Sequence, residues 1–224
     1  MSHIFALKGA SHQLCANYYP PIELDPRYDY ALGLISLHTY NTIPNVTEEN
    51  NKFCYDNKVM KVPVGSYEIS DIEEYLKSIM PKDSISLRPN NNTLKVEIES
   101  KYAVNFKREN TLGRLLGFSK RILEPNRKHE SDLPVQILKV VTIRIECNII
   151  TSSYHDARPS HTLYEVSPQV EPGYSIYIEP QHVIYLPISK SNIENITLTL
   201  LDQDGAPVDF RGEQIIIRLE LKKL

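Results

Sequence analysis

Apolar and polar residues alternate along several stretches of the chain, most clearly near its C-terminal end. In the run 214–222, every second residue from Ile215 to Leu221 is Ile or Leu, which is the period of a strand with one buried face. The run 195–201 alternates in the same way, and residues 202–205 between the two runs have turn-forming side chains. We predict two strands joined by a loop that is too long for a tight hairpin. A third alternating run, 137–149, predicts a long central strand bent by a bulge.

Shorter strand patterns recur through the rest of the chain, separated by Pro- and Asn-rich breaks such as 89–92. They predict strands at 4–7, 31–40, 52–55, 58–64, 84–87, 93–99, 102–106, 161–166, 174–178 and 183–186. Many short strands with turn residues between them are typical of a β-sandwich or barrel.

One segment has a helical pattern instead. Apolar residues run at helical spacing from Ile72 to Ile79, and Ser70 and Glu73 have the spacing of a capping box. Pro81 ends the pattern, since proline disrupts a helix interior. We therefore predict one amphipathic helix here.

The domain organisation follows from where this helix falls. No fixed-period repeat and no Ser/Gly linker divides the chain, which favours a single domain over 1–224. The stretch 66–123 interrupts the series of strands with the helix and a short helical turn at 111–116 that Gly117 ends. We predict that 66–123 is an α+β insertion or sub-domain within a mostly β protein.

Composition supports the β assignment and excludes several function classes. The chain has 24 Ile and 13 Val against 7 Ala, and β-branched side chains favour strands. Glycine is scarce at 8 residues, and neither phosphate-binding nor dinucleotide-binding glycine motifs are present. The formal net charge of −3 produces no global field that would attract nucleic acid or an anionic membrane.

The longest apolar runs also bear on where the protein functions. They fall well short of the roughly 20 residues of a membrane span, and the first residues lack the pattern of a secretory signal. Cys15, Cys54 and Cys147 are widely spaced, which is typical of unpaired core cysteines in a reducing compartment. We predict a soluble, unsecreted protein with no membrane span.

Catalytic and metal-binding motifs are missing from the sequence. No nucleophile elbow, HExxH or CxxC spacing occurs. His155 and His161 are better interpreted as solvated loop residues than as metal ligands, and Asp202 begins a turn rather than a calcium loop, because Pro207 occupies the place of the required glycine. We predict that the protein is not an enzyme and has no cofactor or metal.

One basic stretch, 101–128, interleaves cations with the aromatic residues Tyr102, Phe106 and Phe118. Such a surface can bind nucleic-acid backbones and bases. The candidate nucleic-acid contacts are Lys107, Arg108, Arg114, Lys120, Arg121, Arg127 and Lys128. A solvated rim with the aromatic residues in the core is the favoured interpretation, so nucleic acid is an unlikely partner.

Several short segments, read in order, resemble one known family. They are 21–24 (PIEL), 37–46 (LHTYNTIPNV), 50–53 (NNKF), 65–69 (GSYEI), 90–95 (NNNTLK), 115–119 (LLGFS), 129–135 (HESDLPV), 184–188 (IYLPI), 202–205 (DQDG) and 208–213 (VDFRGE). Over most of its length the chain thereby resembles the penton-type minor capsid protein of Polinton/Maverick elements and adintovirus-like viruses.

This resemblance implies a fold and a function. It implies a single jelly-roll antiparallel β-sandwich that forms homopentamers at the five-fold vertices of an icosahedral capsid in the virion, after assembly in a host cell. Its partners would be copies of itself and a double jelly-roll major capsid protein. The proline-rich segments 18–21 and 166–168 are candidate contact loops. Two alternatives remain: a jelly-roll glycan- or receptor-binding module, and a nucleic-acid-contacting capsid-associated protein.

Overall fold

Strands dominate the fold, as the Ile- and Val-rich alternation predicts. The computed structural model describes residues 2–137, 140–151, 153–155, 157–189 and 191–224. Within these residues the elements are β1 (Ser2–Gly9), β2 (Gln13–Glu23), β3 (Tyr30–Tyr40), β4 (Lys52–Tyr55), β5 (Lys58–Lys61), α1 (Ile69–Ile79), β6 (Ile85–Asn90), β7 (Lys95–Ser100), β8 (Val104–Asn105), β9 (Ile122–Leu123), β10 (Arg127–Glu130), β11 (Ile143–Cys147), β12 (Ser153–His155), β13 (Arg158–Ser160), β14 (Thr162–Val166), β15 (Ser175–Ile178), β16 (Tyr185–Pro187), β17 (Asn192–Leu201) and β18 (Ile215–Lys223). The mostly β prediction is confirmed.

The chain divides into two compact units. The first comprises Met1–Ile43 and Val140–Leu224, and the second comprises Pro44–Lys139. Each unit has a hydrophobic core of its own. The predicted insertion, 66–123, lies inside the second unit, which begins before it and ends after it. That the whole chain acts as one domain stays a prediction.

The strands of the first unit form two main antiparallel sheets and a separate two-stranded hairpin of β12 and β13. Sheet one has the order β1-β18-β3-β15, with β16 also paired to β3, and sheet two has the order β14-β11-β17-β2. The strands of these two sheets can be renumbered 1 to 8 in chain order, with β15 and β16 counted together as the sixth. The two orders then become 1-8-3-6 and 5-4-7-2. This is the connectivity of an eight-stranded jelly roll, which the sequence resemblance implied.

The inward faces of the two sheets share one core. The alternating Ile and Leu side chains of 215–221 are buried, and so are Ile196, Leu198 and Leu200. These two runs therefore have one buried face each, as predicted. They lie in different sheets, because the loop between them crosses from sheet two to sheet one.

The long central strand predicted at 137–149 is shorter in the structure. Only Ile143–Cys147 forms β11, and Leu138 and Lys139 lie outside the described residues. After Cys147 the chain turns, with the Ile150 N–H donating to the Cys147 carbonyl at 3.1 Å. The predicted bulge is present, since the register with β14 shifts between Ile145 and Glu146.

The second unit contains two small sheets and the helix. The sheets have the orders β10-β7-β6 and β5-β4-β8-β9, and α1 buries Ile69, Ile72 and Leu76. Phe106 lies at the centre of the aromatic part of the core, with ring centroids 6.2 Å from Phe53 and 5.2 Å from Phe118.

The predicted helix is confirmed, but its N-terminal cap differs from the prediction. The Glu68 N–H donates to Asp71 Oδ2 at 2.8 Å, so the capping interaction begins two residues before Ser70. The Glu73 carboxylate instead accepts from the Leu87 N–H at 3.1 Å and pairs with Lys77 at 2.7 Å. The predicted capping box from Ser70 to Glu73 is therefore wrong, because a strand takes up the Glu73 side chain.

The three cysteines differ in burial, which predicts their reactivity. Cys54 and Cys147 are buried, whereas Cys15 is exposed on β2, so the prediction of core packing fails for Cys15. Burial raises the pKa of Cys147 to about 11, and burial also raises the pKa of Cys54. Only the thiolate attacks a disulfide reagent, so at pH 8 we expect one fast-reacting thiol per folded chain.

A thiol titration with an aromatic disulfide reagent checks this expectation. The folded protein should release one equivalent rapidly, and the urea-unfolded protein should release three. Cys15→Ser should abolish the fast phase and leave the other two thiols protected. Rapid release of three equivalents from the folded wild type would contradict the described burial.

Candidate interaction surfaces

Sheet one exposes an aromatic patch, defined here as His38, Tyr40 and Tyr177. Along β3, Leu37 and Thr39 point into the core, so His38 and Tyr40 lie on the outward face. The register of β15 places Tyr177 opposite His38 and Ser175 opposite Tyr40. Direct cross-strand partners share a face of the sheet, so these rings lie side by side.

Contacts within the aromatic patch hold its rings in defined positions. The His38 ring centroid lies 6.0 Å from that of Tyr40 and 6.1 Å from that of Tyr177. His38 Nε2 is 3.1 Å from Ser175 Oγ. The Tyr177 hydroxyl donates to Glu179 at 2.9 Å, and this hydrogen bond raises the pKa of the Tyr177 phenol. The patch thus combines exposed rings with side-chain contacts between them.

Aromatic side chains in such an arrangement are suited to binding another protein. Tyr177 is 61% exposed, and tyrosine is enriched in the centres of protein interfaces. The outward face of sheet two is polar instead, with side chains such as Gln13, Asn17 and Thr197. The two outward faces of the jelly roll therefore offer different surfaces to a partner.

Sequence reasoning did not identify the aromatic patch. Thr39 is fully buried while Tyr40 is 43% exposed, which reverses what their polarity alone predicts. The sequence did contain one signal, its high tyrosine content. The chain has 14 tyrosines, which is more than the two hydrophobic cores contain, so some tyrosines must be exposed.

The two predicted contact loops have different positions in the structure. Residues 18–21 are not a loop but part of β2. They form a bulge, because Asn17 pairs with Asn195 whereas Ile22 pairs with Ile193. This bulge exposes Tyr19 completely. Residues 166–168 do lead into a loop, directly after β14.

The predicted nucleic-acid contacts all lie in the second unit, and four of the seven are in ion pairs there. Lys120 pairs with Glu109 at 2.8 Å, Arg121 with Asp132 at 3.2 Å, Arg127 with Glu124 at 2.8 Å and Lys128 with Glu97 at 2.6 Å. Lys107, Arg108 and Arg114 form no ion pair within the part of the chain that the structure describes. Ion pairs therefore neutralise part of the positive charge of the stretch locally.

The aromatic residues of the basic stretch are not available for stacking on bases. Phe106 and Phe118 are buried in the core of the second unit, and Tyr102 packs its ring 5.2 Å from that of Tyr55. Arg121 lies over Phe118, 5.5 Å from the ring centroid, and donates to the Glu130 carbonyl at 2.8 Å. Base stacking needs exposed rings, so these contacts favour a solvated rim. Nucleic-acid binding by the seven residues stays a prediction, and its signature would be weakening with salt.

The candidate metal and calcium positions have protein partners. His155 Nδ1 lies 3.6 Å from Glu165, and His161 Nδ1 contacts the Ile150 carbonyl. Asp202 Oδ1 accepts from the N–H groups of Asp204 and Ala206, at 2.9 and 2.8 Å, so the predicted turn is confirmed. Across the described ranges, no three His, Cys, Asp or Glu side chains form a group that could hold a metal. No helix in these ranges is long and apolar enough to cross a membrane.

Comparisons with known proteins show a likeness to solved structures. The chain matches no model of a protein family and no curated protein sequence. Among solved structures it is similar to the selenomethionine-labelled mavirus penton protein, with a TM-score of 0.53 and 14% sequence identity. The alignment covers 100% of both chains. The fold is therefore that of a penton protein, as the sequence resemblance implied.

Proposed function

We propose that this protein is a structural minor capsid subunit that forms homopentamers at the five-fold vertices of an icosahedral capsid. The observation that carries this proposal is the similarity to the mavirus penton protein over the full length of both chains. Full coverage matters because it includes the second unit as well as the jelly roll. A jelly roll by itself supports many functions.

Two further observations support a structural role. The aromatic patch lies on the outward face of a sheet, and exposed aromatic side chains suit protein partners. The ionisable side chains at the positions considered for chemistry are engaged in turns or ion pairs. The function that fits this arrangement is assembly, without catalysis or a cofactor.

The same proposal names partners and a location. In a closed ring each subunit contacts the next through two different surfaces, which is a heterologous interface. Around the vertex, the ring would contact a double jelly-roll major capsid protein. The protein would then be located in the virion, at the capsid vertex.

The oligomeric state of the purified protein tests the proposal. We expect native mass spectrometry and light scattering to give a mass about five times the 25.7 kDa of the chain, and negative-stain images to show closed rings. The measurement should span micromolar to millimolar protein and low to high salt, because a weak ring dissociates on dilution. A protein that stays monomeric throughout, or that stops at dimers, would refute a penton role.

A further inference from the structure

The jelly roll has four edges, of which β15 and β16 together form one, and the two edges of sheet two are protected against pairing. In β2, the bulge at 18–21 contains Pro20 and Pro21, and proline cannot donate to a neighbouring strand. In β14, the register with β11 is irregular around Leu163, and Pro168 follows the strand. Bulges and prolines are the devices by which edge strands avoid pairing with other chains.

The β1 edge of sheet one lacks these devices, whereas at the opposite edge they lie outside β15, with Pro180 two residues after it and Pro187 in β16. β1 contains no proline and pairs with β18 through eight consecutive residues without a register shift. β15, at the opposite edge, is also free of proline and regularly paired with β3. Each strand presents unpaired backbone N–H and C=O groups at its outer side. β1 can therefore accept a neighbouring strand along its whole length, and the opposite edge can do so over β15.

These two edges have the orientation that a ring needs. Successive strands from β1 through β18 and β3 to β15 are antiparallel, so β1 and β15 run in opposite directions. When identical sheets are placed edge to edge around an axis along the strands, β15 of one copy meets β1 of the next as an antiparallel neighbour. Such a contact is heterologous and closes a ring.

The side chains at the two edges are complementary in charge. A row of cross-strand partners runs over the outward face from Lys8 through Ile216 and His38 to Tyr177. Lys8 at the β1 edge is exposed, and Glu179 lies two residues beyond Tyr177 at the β15 edge, also exposed. Around a ring, Lys8 of one copy lies level with Tyr177 of the next, within reach of Glu179.

We infer that pentamers form by edge-to-edge pairing of β1 with β15 of the neighbouring copy, with Lys8 contacting Tyr177 and Glu179 across the interface. The occupant of each free edge is thus a second copy of this chain. The inference rests on the proposed function, because it specifies the contact that builds the pentamer.

A charge swap in the full-length protein tests the pairing. Lys8→Glu and Glu179→Lys each place like charges across the interface, and each should raise the protein concentration needed for half-assembly by about tenfold or more. The double variant restores opposite charges and should assemble within about threefold of the wild type. Lys101→Glu, which reverses an exposed lysine of the second unit, is the matched control and should assemble normally. Far-ultraviolet circular dichroism and thermal unfolding establish that each variant is folded.

Chemical cross-linking provides a second readout that does not depend on affinity. In a Cys15→Ser background, Lys8→Cys combined with Glu179→Cys and a short bismaleimide should give a covalent ladder that ends at five chains. Each single-cysteine variant should give no ladder beyond two chains.

The outcomes separate this inference from the function on which it rests. Weakened single variants with a restored double variant, together with the five-chain ladder, support the pairing. If both single variants assemble as well as the wild type, the pairing is wrong. The pairing is also wrong if the double variant does not recover assembly. Either result leaves the penton role intact. A wild-type protein that never assembles overturns the penton role itself.

Discussion

Gly117→Ala is expected to destabilise the second unit by about 3–5 kcal/mol, because two separate costs act at this position. Gly117 has φ of +78°, a backbone conformation that is unfavourable for residues with a Cβ. An added Cβ would also overlap the carbonyl oxygen of Leu133 and would lie 3.0 Å from the carbonyl oxygen of Pro134. These are backbone atoms, so no side-chain rotation relieves the overlap.

The surrounding hydrogen bonds prevent the backbone from moving away. The N–H groups of Asp132 and Leu133 both donate to the Gly117 carbonyl, at 3.0 and 2.9 Å. The Phe118 N–H donates to the Gly113 carbonyl at 2.7 Å, which closes the predicted helical turn. Urea unfolding followed by tyrosine fluorescence measures the loss of stability, and hydrogen exchange should localise it to residues of the second unit.

Gly212→Ala is the matched control for this substitution. Gly212 has nearly the same φ, +77°, but an added Cβ would meet nothing within 4 Å. Its replacement should therefore cost only the conformational term, about 1 kcal/mol. If Gly117→Ala is no more destabilising than Gly212→Ala, the close approach of the Leu133 carbonyl is not a constraint on the fold.

Leu198→Ala should destabilise the first unit by about 2–5 kcal/mol. Leu198 is fully buried on the inward face of β17, in the core that sheet one and sheet two share. Replacement by alanine removes buried methyl groups and leaves a cavity that the neighbouring strands cannot fill completely. Hydrogen exchange should show faster exchange in β11, β17 and β18, while amides of the second unit keep their protection.

A control substitution on the same strand distinguishes the loss of core packing from a change in β-strand propensity. Glu194 is exposed in β17, so Glu194→Ala should change the unfolding free energy by less than about 0.5 kcal/mol. Equal effects of Glu194→Ala and Leu198→Ala would contradict the described core. Because each unit has its own core, the Gly117 and Leu198 variants should also affect different sets of amides.

Local pattern was sufficient to predict many elements of the fold. Period-two alternation identified β17 and β18, and the helical stripe from Ile72 to Ile79 identified α1, because periodicity reports directly which side chains one face buries. The prediction failed where local and tertiary requirements differ. Pro20 and Pro21 indicated a loop, but they lie at a bulged edge of β2, where no neighbouring strand needs their missing N–H groups.

The candidate surfaces were less predictable than the strands. The basic stretch could be found in the sequence, but the partners of Lys120, Arg121, Arg127 and Lys128 could not, since their carboxylates are brought close by folding. The aromatic patch depends on the pairing of β3 with β15, whose residues are more than 130 positions apart. Sequence pattern contains no direct information on a pairing of that range.

The sequence by itself determined a mostly β protein with one inserted helix, no recognisable catalytic motif and a resemblance to penton-type capsid proteins. These properties follow from composition, local periodicity and short segments, each of which is encoded within a few neighbouring residues. Only the tertiary structure decided which strands pair in each sheet, that the aromatic patch is exposed, and that β1 is an edge strand without proline or bulge. The physical reason is that strand order, exposure and edge position depend on hydrogen bonds between distant segments, which form only when the whole chain folds.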